Sequence, residues 1–442
     1  MSVLSKLKED PLLSKVLRSS AALLSANTVS LGLSVVQSIL AARLLGPAQF
    51  GLIAIIMSYA STVNGLLSFR MSELVVRYGG EYLEKDEKER TAALVKAAAL
   101  SEALVSLLAF VFVAITAALA ALYIAKTPNT AFLFIVYSLG LLVNFNTETA
   151  TGVLQMLGKI KYQGLINLVQ SILTAGLITF AFFTHGNLQF VLYAYLAGKV
   201  VLGLGIFSTA VFQLTKKLGS GWWKAQINSI PQVKELARFA ISSNLSATLI
   251  LVFRESEILW VGYFLTSEAA GYYKAAYSIV SLLSVSANPL ILTTYPEINK
   301  LIVQKTWRRL IDFLKKITTL AAVYNLALAA GFVIFGRWLL SISGSEYAAG
   351  YPALLALLIG FTFNYILFWN RPLLLSLGLP DFPIWVTLIV GLLKISLAFW
   401  LVPRYGIVAA GALLSFYYMA SVGIMVIRGL KEIEKNEDRS HH

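Results

Sequence analysis

Arg254-Glu255-Ser256-Glu257 is the densest group of charges within an apolar stretch, and Arg70-x-x-Glu73-x-x-x-Arg77 sets a cation, an acid and a cation at helical spacing. Two kinds of chemistry suit such groups. A guanidinium offers a planar fork of N–H donors that matches phosphate or carboxylate oxygens. A half-desolvated carboxyl holds its proton more tightly than one in water and can carry it. The chain has no cysteine and three histidines. Two of these, His441 and His442, close the chain after Arg439-Ser440 and read as a purification-tag remnant; His185 sits beside Gly186 in a short loop. No catalytic set, no metal cluster and no cofactor is expected.

A charge at the centre of a membrane helix costs about 2.5–3.5 kcal/mol on insertion scales, so it must face water or a partner. Six basic residues lie inside apolar stretches: Arg70, Lys199, Arg254, Lys274, Arg371 and Lys394. Arg254 stands roughly 24 Å along its helix from Arg238. It can pair with Glu257, three residues on, whereas Glu255 points elsewhere. Arg70, Glu73 and Arg77 share one face, where snorkelling to the interface competes with ligand binding. Arg371 precedes Pro372, which is expected to bend its helix. Lys199 is open to pairing with an acid such as Glu102. Glu148 follows Asn144, Asn146 and Thr147, as a proton carrier or as part of a bonded helix end. Asn27, Gln37, Asn64, Asn244 and Asn288 are candidates for reading sugar hydroxyls, and equally for interhelical hydrogen bonding. Asn288-Pro289 also reads as a bend.

These groups need a bilayer around them. The 442-residue chain is 58% hydrophobic and 13% charged, with a mean hydropathy of +0.75. A soluble protein of this size cannot bury so much apolar surface. The net charge of +14 is not a nucleic-acid signature: 26 of the 36 lysines and arginines fall in segments on one side, and four (Arg43, Lys126, Arg337, Arg404) on the other. Basic loops mark the cytoplasm, which puts both termini there. Residues 1–18 read as an amphipathic interfacial helix, 19–214 as a six-helix bundle, 215–238 as a cytoplasmic linker, 239–427 as a second six-helix bundle and 428–442 as a tail. Several apolar stretches exceed the ~20 residues a crossing needs and are expected to tilt or protrude.

The two bundles repeat one another at an offset of 220 residues: Arg18 matches Arg238, Gly51 matches Gly271, Leu157-Gly158 matches Leu377-Gly378, and Gly203 matches Gly423. The fold predicted is all-α and polytopic, with about twelve transmembrane helices in two parallel-repeat bundles around a central cavity. Parallel repeats of this kind are a transporter construction.

Ala42-Arg43-Leu44-Leu45-Gly46-Pro47-Ala48-Gln49-Phe50-Gly51 resembles the turn between the first two helices of the polysaccharide flippase family. The stretch Glu257 to Phe264, continuing through Ala270-Gly271-Tyr272-Tyr273-Lys274-Ala275-Ala276, resembles the matching turn of that family's second bundle. Tyr295-Pro296-Glu297-Ile298 and Pro403-Arg404-Tyr405-Gly406-Ile407 are similar to its helix ends, and the likeness runs from about Arg18 to Arg428. That family lies in the superfamily of multidrug, oligosaccharidyl-lipid and polysaccharide exporters.

The resemblance implies a plasma-membrane flippase that moves a polyprenyl-diphosphate-linked oligosaccharide to the outer leaflet. It implies a functional monomer among membrane lipids, associating with polysaccharide assembly proteins. Arg254, Arg70, Arg371 and Lys274 are then the expected diphosphate ligands, and Asn27, Gln37, Asn64, Asn244 and Asn288 the sugar contacts. Glu255, Glu257, Glu73 and Glu148 are the acids for proton or Na⁺ coupling. No G-x-x-x-x-G-K-[ST] loop is present, which argues against ATP drive. Two alternatives stand beside this: a multidrug or cation antiporter of the same superfamily, and a membrane polysaccharide polymerase or glycosyltransferase. The loops are too short and too poor in His and clustered Asp for the enzyme reading.

Overall fold

The computed structural model describes residues 11–68, 70–227, 236 and 248–441; the side chains of 11–28, 31, 285–289, 292 and 439–441 are not among those described. Every regular element among the described residues is helical. Eight stretches are long and apolar enough to cross a membrane, among them Gly32–Leu67 and Asp381–Asp438. Each of these two is a pair of helices merged across a kink, at Gly46 (φ 69°) and Gly406 (φ 66°). Counting each of these as two helices gives ten of the twelve predicted spans; of the other two, 239–264 falls partly outside the described residues and 269–297 is divided at Leu282-Leu283 into two helices. A positive φ is a backbone state that glycine enters without steric cost, and Gly46 sits in the Leu44–Gly51 turn.

In chain order the helices are α1 (Pro11–Leu67), α2 (Met71–Leu74), α3 (Gly80–Glu84), α4 (Lys88–Leu119), α5 (Ala131–Val143), α6 (Thr147–Met156), α7 (Lys161–Phe183) and α8 (Leu188–Leu218). They continue as α9 (Glu257–Phe264), α10 (Ser267–Ser281), α11 (Ser284–Val303), α12 (Trp307–Ser341), α13 (Tyr351–Ile366), α14 (Asn370–Ser376) and α15 (Asp381–His441). The repeat is visible in these bounds. α5 and α13 begin 220 residues apart, as do α7 and α15, and α4 and α12 begin within a residue of that offset. Gly158 (φ +66°) and Gly378 (φ +76°) make the same turn at matching positions.

By contacts the chain divides into one unit of Gly32–Glu268 and another of Met1–Leu31 with Ala269–His442. In the first unit, α4 turns Leu104, Leu108, Val111, Ile115 and Leu119 outward while Ala98, Ala109, Val113 and Ala117 are buried. Large apolar residues outside and small ones inside reverse the soluble pattern. They fit a helix with lipid on one face and close helix contacts on the other. A Cβ on Gly152 of α6 would lie 2.9 Å from the Ser72 Cα, so that crossing is closed to any larger residue.

In the second unit a Cβ on Gly360 of α13 would lie 2.3 Å from the Ser415 Cα of α15. The Ser415 hydroxyl donates to the Ala356 carbonyl and accepts from the Gly360 amide, the latter at 3.0 Å. α12 and α15 extend past the apolar stretches, with Trp307, Leu310, Phe313, Phe368, Leu373 and Ile433 forming one buried cluster. Ile433 lies in the segment expected to be a tail; there α15 continues as helix and packs. Arg308 joins α12 to Glu437 of α15 at 3.1 Å.

Candidate functional site

Breaks in the helices distinguish the places where the candidate side chains sit. The ladder that starts in α1 stops at Leu67, and Arg70 stands just before it resumes at Met71. Val75–Gly79, with Arg77, is a π turn. Leu251–Glu255, with Arg254, is another, and Ser256 then leaves helical geometry (φ −84°, ψ 8°) before α9 starts at Glu257. α5 and α6 are separated at Asn144–Asn146, next to Glu148. α13 and α14 are separated at Leu367–Trp369, next to Arg371. π turns and interruptions cost backbone hydrogen bonds and concentrate at functional positions. At membrane depth such backbone is tolerated where protein buries it or where it lines water.

Within the first unit, two contacts align the helix bearing Arg70 with the one bearing Arg254. A Cβ on Gly262 would lie 2.8 Å from Ile55 Cδ1, and one on Gly65 would lie 2.8 Å from Leu251 Cδ1. Residue numbers rise along one helix as they fall along the other, so the pair is antiparallel. Arg254 is three residues beyond Leu251 and stands level with Thr62. Arg70 is five residues beyond Gly65 in the opposite direction. Arg70 lies past the end of α1, beyond the break that follows Leu67, so the two arginines stand at different heights. Arg254 is half-buried and Arg70 exposed. Asn64 lies between these heights and is half-buried.

The acids differ in setting. Glu73 is exposed and pairs with Arg70 at 2.9 Å. Glu255 is exposed and Glu257 is buried. The π turn and the break at Ser256 interrupt the straight helix on which the Arg254–Glu257 spacing was reckoned. Glu148 is half-buried and accepts a hydrogen bond from the Ser72 hydroxyl. Its backbone N–H donates to Glu102 at 2.8 Å, and the Thr149 N–H donates to the other Glu102 oxygen at 2.8 Å. Glu102 of α4 thus caps the first turn of α6 from outside it. Two orphan amides, which every helix start leaves open, are satisfied by one buried carboxylate.

Glu102, one acid open to Lys199 by sequence, is engaged instead by these two amides. Among the described residues Lys199 has no acid partner, and its Nζ lies over the Tyr137 ring at 4.8 Å. Sequence spacing offers no signal for the Glu102 cap, because α4 and α6 are brought together only by the fold. Gln37 is buried and donates to the Ser171 carbonyl at 2.9 Å, tying α1 to α7. This is the interhelical alternative of the two weighed for that residue.

In the second unit Arg371 is half-buried, one residue after the buried Asn370 that opens α14. Pro372 falls in the first turn of α14, where its missing N–H removes no intrahelical hydrogen bond. The bend assigned to Asn288-Pro289 lies instead at Leu282-Leu283, between α10 and α11. Lys274 is half-buried in α10. Lys394 is buried with its Nζ 5.9 Å from the Tyr417 ring. The side chains of Asn27 and Asn288, and all of Asn244, lie outside the described residues.

An all-helical membrane chain built from two repeats, with charged side chains at broken helices, has the construction of a secondary transporter. The chain belongs to the polysaccharide biosynthesis protein family, whose model matches residues 16–302. It is 24% identical over 352 residues to the inner membrane protein YghQ of Escherichia coli K12, covering 76% of this chain and 94% of that one. Its fold is similar to an inward-facing multidrug resistance MATE transporter of the MOP superfamily, with a TM-score of 0.70, 16% identity and coverage of 93% and 96%. It is equally similar to the lipid II flippase MurJ in an inward closed conformation, with a TM-score of 0.70, 14% identity and coverage of 94% and 90%. A third structural relative is a MOP transporter of Pyrococcus furiosus described by the reverse polarity of its binding pocket, with a TM-score of 0.65, 13% identity and coverage of 99% of both chains.

Proposed function

We propose that the protein is a flippase for a polyprenyl-diphosphate-linked oligosaccharide, carrying the sugar-diphosphate head from the cytoplasmic to the outer leaflet by alternating access. One observation carries the reading: Arg70, Arg254 and Arg371 each stand at an interruption of their helix. A broken ladder frees backbone groups that want polar company, and a guanidinium beside them wants an oxyanion. Arg70 and Arg254, at two heights of one helix pair, act as successive stations for the diphosphate. Arg371 and Lys274 are further diphosphate ligands, and Asn64 with Asn27, Asn244 and Asn288 meets the sugar. Glu148, held by Ser72, and the acids Glu73, Glu255 and Glu257 couple the step to a proton or Na⁺ gradient. An inside-negative potential assists too, at about 2.3 kcal/mol per charge per 100 mV for an anion leaving the cytoplasm. Both termini are cytoplasmic and the membrane is the inner one.

Liposomes carrying undecaprenyl-diphosphate oligosaccharide test this directly. Added protein should move the labelled sugar out of reach of an external glycosidase, while a cationic dye such as ethidium is not transported. Ethidium extrusion without movement of the sugar lipid would establish the multidrug alternative in its place.

A further inference from the structure

A cleft of about 390 Å³ opens in the first unit, lined by Leu83, Met156, Leu157, Lys159, Gln213, Lys216 and Lys217. It lies at the end of α6, at the last turns of α8 and beside the end of α3. None of the three lysines pairs with an acid among the described residues; Lys216 Nζ stands over the Phe212 ring at 4.2 Å. The walls divide by chemistry. Leu83, Met156 and Leu157 form an apolar side, and Met156 and Leu157 pack on a buried core against which Trp222 also packs. The lysines and Gln213 form a polar side.

The depth of the cleft is marked by its neighbours. Trp222 donates from Nε1 to Thr215 Oγ1 at 3.1 Å, and the exposed Trp223 follows it with Lys224 over its ring at 5.3 Å. Tryptophans beside lysines are the composition of a membrane–water interface. An apolar wall facing three uncompensated ammonium groups at that depth is complementary to one ligand class: a phosphate ester joined to acyl chains.

We infer that this cleft binds the phosphate head of an anionic phospholipid from the lysine-rich leaflet, with Lys159, Lys216 and Lys217 on the phosphate and Leu83, Met156 and Leu157 on the first methylenes of the chains. The site includes none of Arg70, Arg254 and Arg371 and serves the resting protein, not its cargo.

The test uses full-length protein in phosphatidylcholine nanodiscs with increasing phosphatidylglycerol, read by native mass spectrometry for retained lipid and by melting temperature. Wild type should retain a phosphatidylglycerol molecule and melt higher as that lipid is added. At about 1 kcal/mol per lysine near an anionic surface, each lysine removed should lower retention about fivefold. Lys159→Gln, Lys217→Gln and the triple variant with Lys216→Gln form the series, with Lys224→Gln as a neighbouring control. Should the triple variant not fold, the single variants carry the test. Undiminished retention in the variants would overturn the assignment. So would an equal melting shift from glycerol phosphate or inorganic phosphate, which would assign the cleft to a soluble anion. Retention of undecaprenyl phosphate alone would assign it to the cargo and equally overturn it.

Discussion

Arg254→Ala should lower the turnover of lipid-linked oligosaccharide in proteoliposomes by at least tenfold, with the protein still folded. A hydrogen bond to a charged group contributes about 1.5–3 kcal/mol, and an arginine fork makes two such bonds to a phosphate. Losing one of them, at 1.4 kcal/mol per factor of ten, already gives tenfold. Arg254→Lys keeps the charge but not the fork and should fall between the two. The position explains why the effect is expected there: the π turn Leu251–Glu255 and the break at Ser256 set Arg254 on a backbone that is not sealed by its own ladder. Arg337→Ala, on an exposed site of α12, is the control and should leave turnover unchanged. Turnover within twofold of wild type in Arg254→Ala would remove this residue from the diphosphate path.

The second large effect falls on stability. Glu102→Ala should destabilise the protein by about 3 kcal/mol, because it strands the Glu148 and Thr149 amides that the carboxylate accepts at 2.8 Å at about 1.5 kcal/mol or more each. Glu102 is 6% exposed, so water cannot replace it without entering a packed contact. Glu102→Gln keeps one acceptor oxygen and should recover about half. The Ser72–Glu148 bond, anchored through the same helix start, should loosen with it. Thermal unfolding in detergent reads the loss as a drop in melting temperature. A Glu102→Ala melting temperature equal to wild type would show that α6 starts without this cap.

Much of the architecture was legible before any coordinates. Hydropathy places α4, α7, α8 and α12 because each is a long apolar run bounded by charges or by a short polar turn, and bilayer thickness sets the scale. The 220-residue repeat anticipates the paired turns at Gly158 and Gly378, where a left-handed backbone favours glycine. The interruptions were not legible. Asn144-Phe145-Asn146 contains no proline or glycine, and a break costs composition nothing. It is set by what the freed backbone meets, here Glu102 on another helix. Pro372 did signal a bend, but the bend falls before it, and Pro289 lies inside continuous helix. For the site, the arginines were legible as charges in the wrong solvent. Their shared placement at broken helices was not, because pattern methods assume an unbroken helix.

The central claim is that arginines at helix breaks hold a lipid diphosphate. Its most direct test is a binding comparison of undecaprenyl diphosphate, undecaprenyl phosphate and the neutral alcohol, on wild type and on the Arg70→Ala/Arg254→Ala/Arg371→Ala variant in the same nanodiscs. The expected result is that wild type prefers the diphosphate over the alcohol by at least a hundredfold, that added salt weakens this preference, and that the variant loses it. Equal binding of all three lipids, or a preference for the diphosphate that survives in the variant, would contradict it.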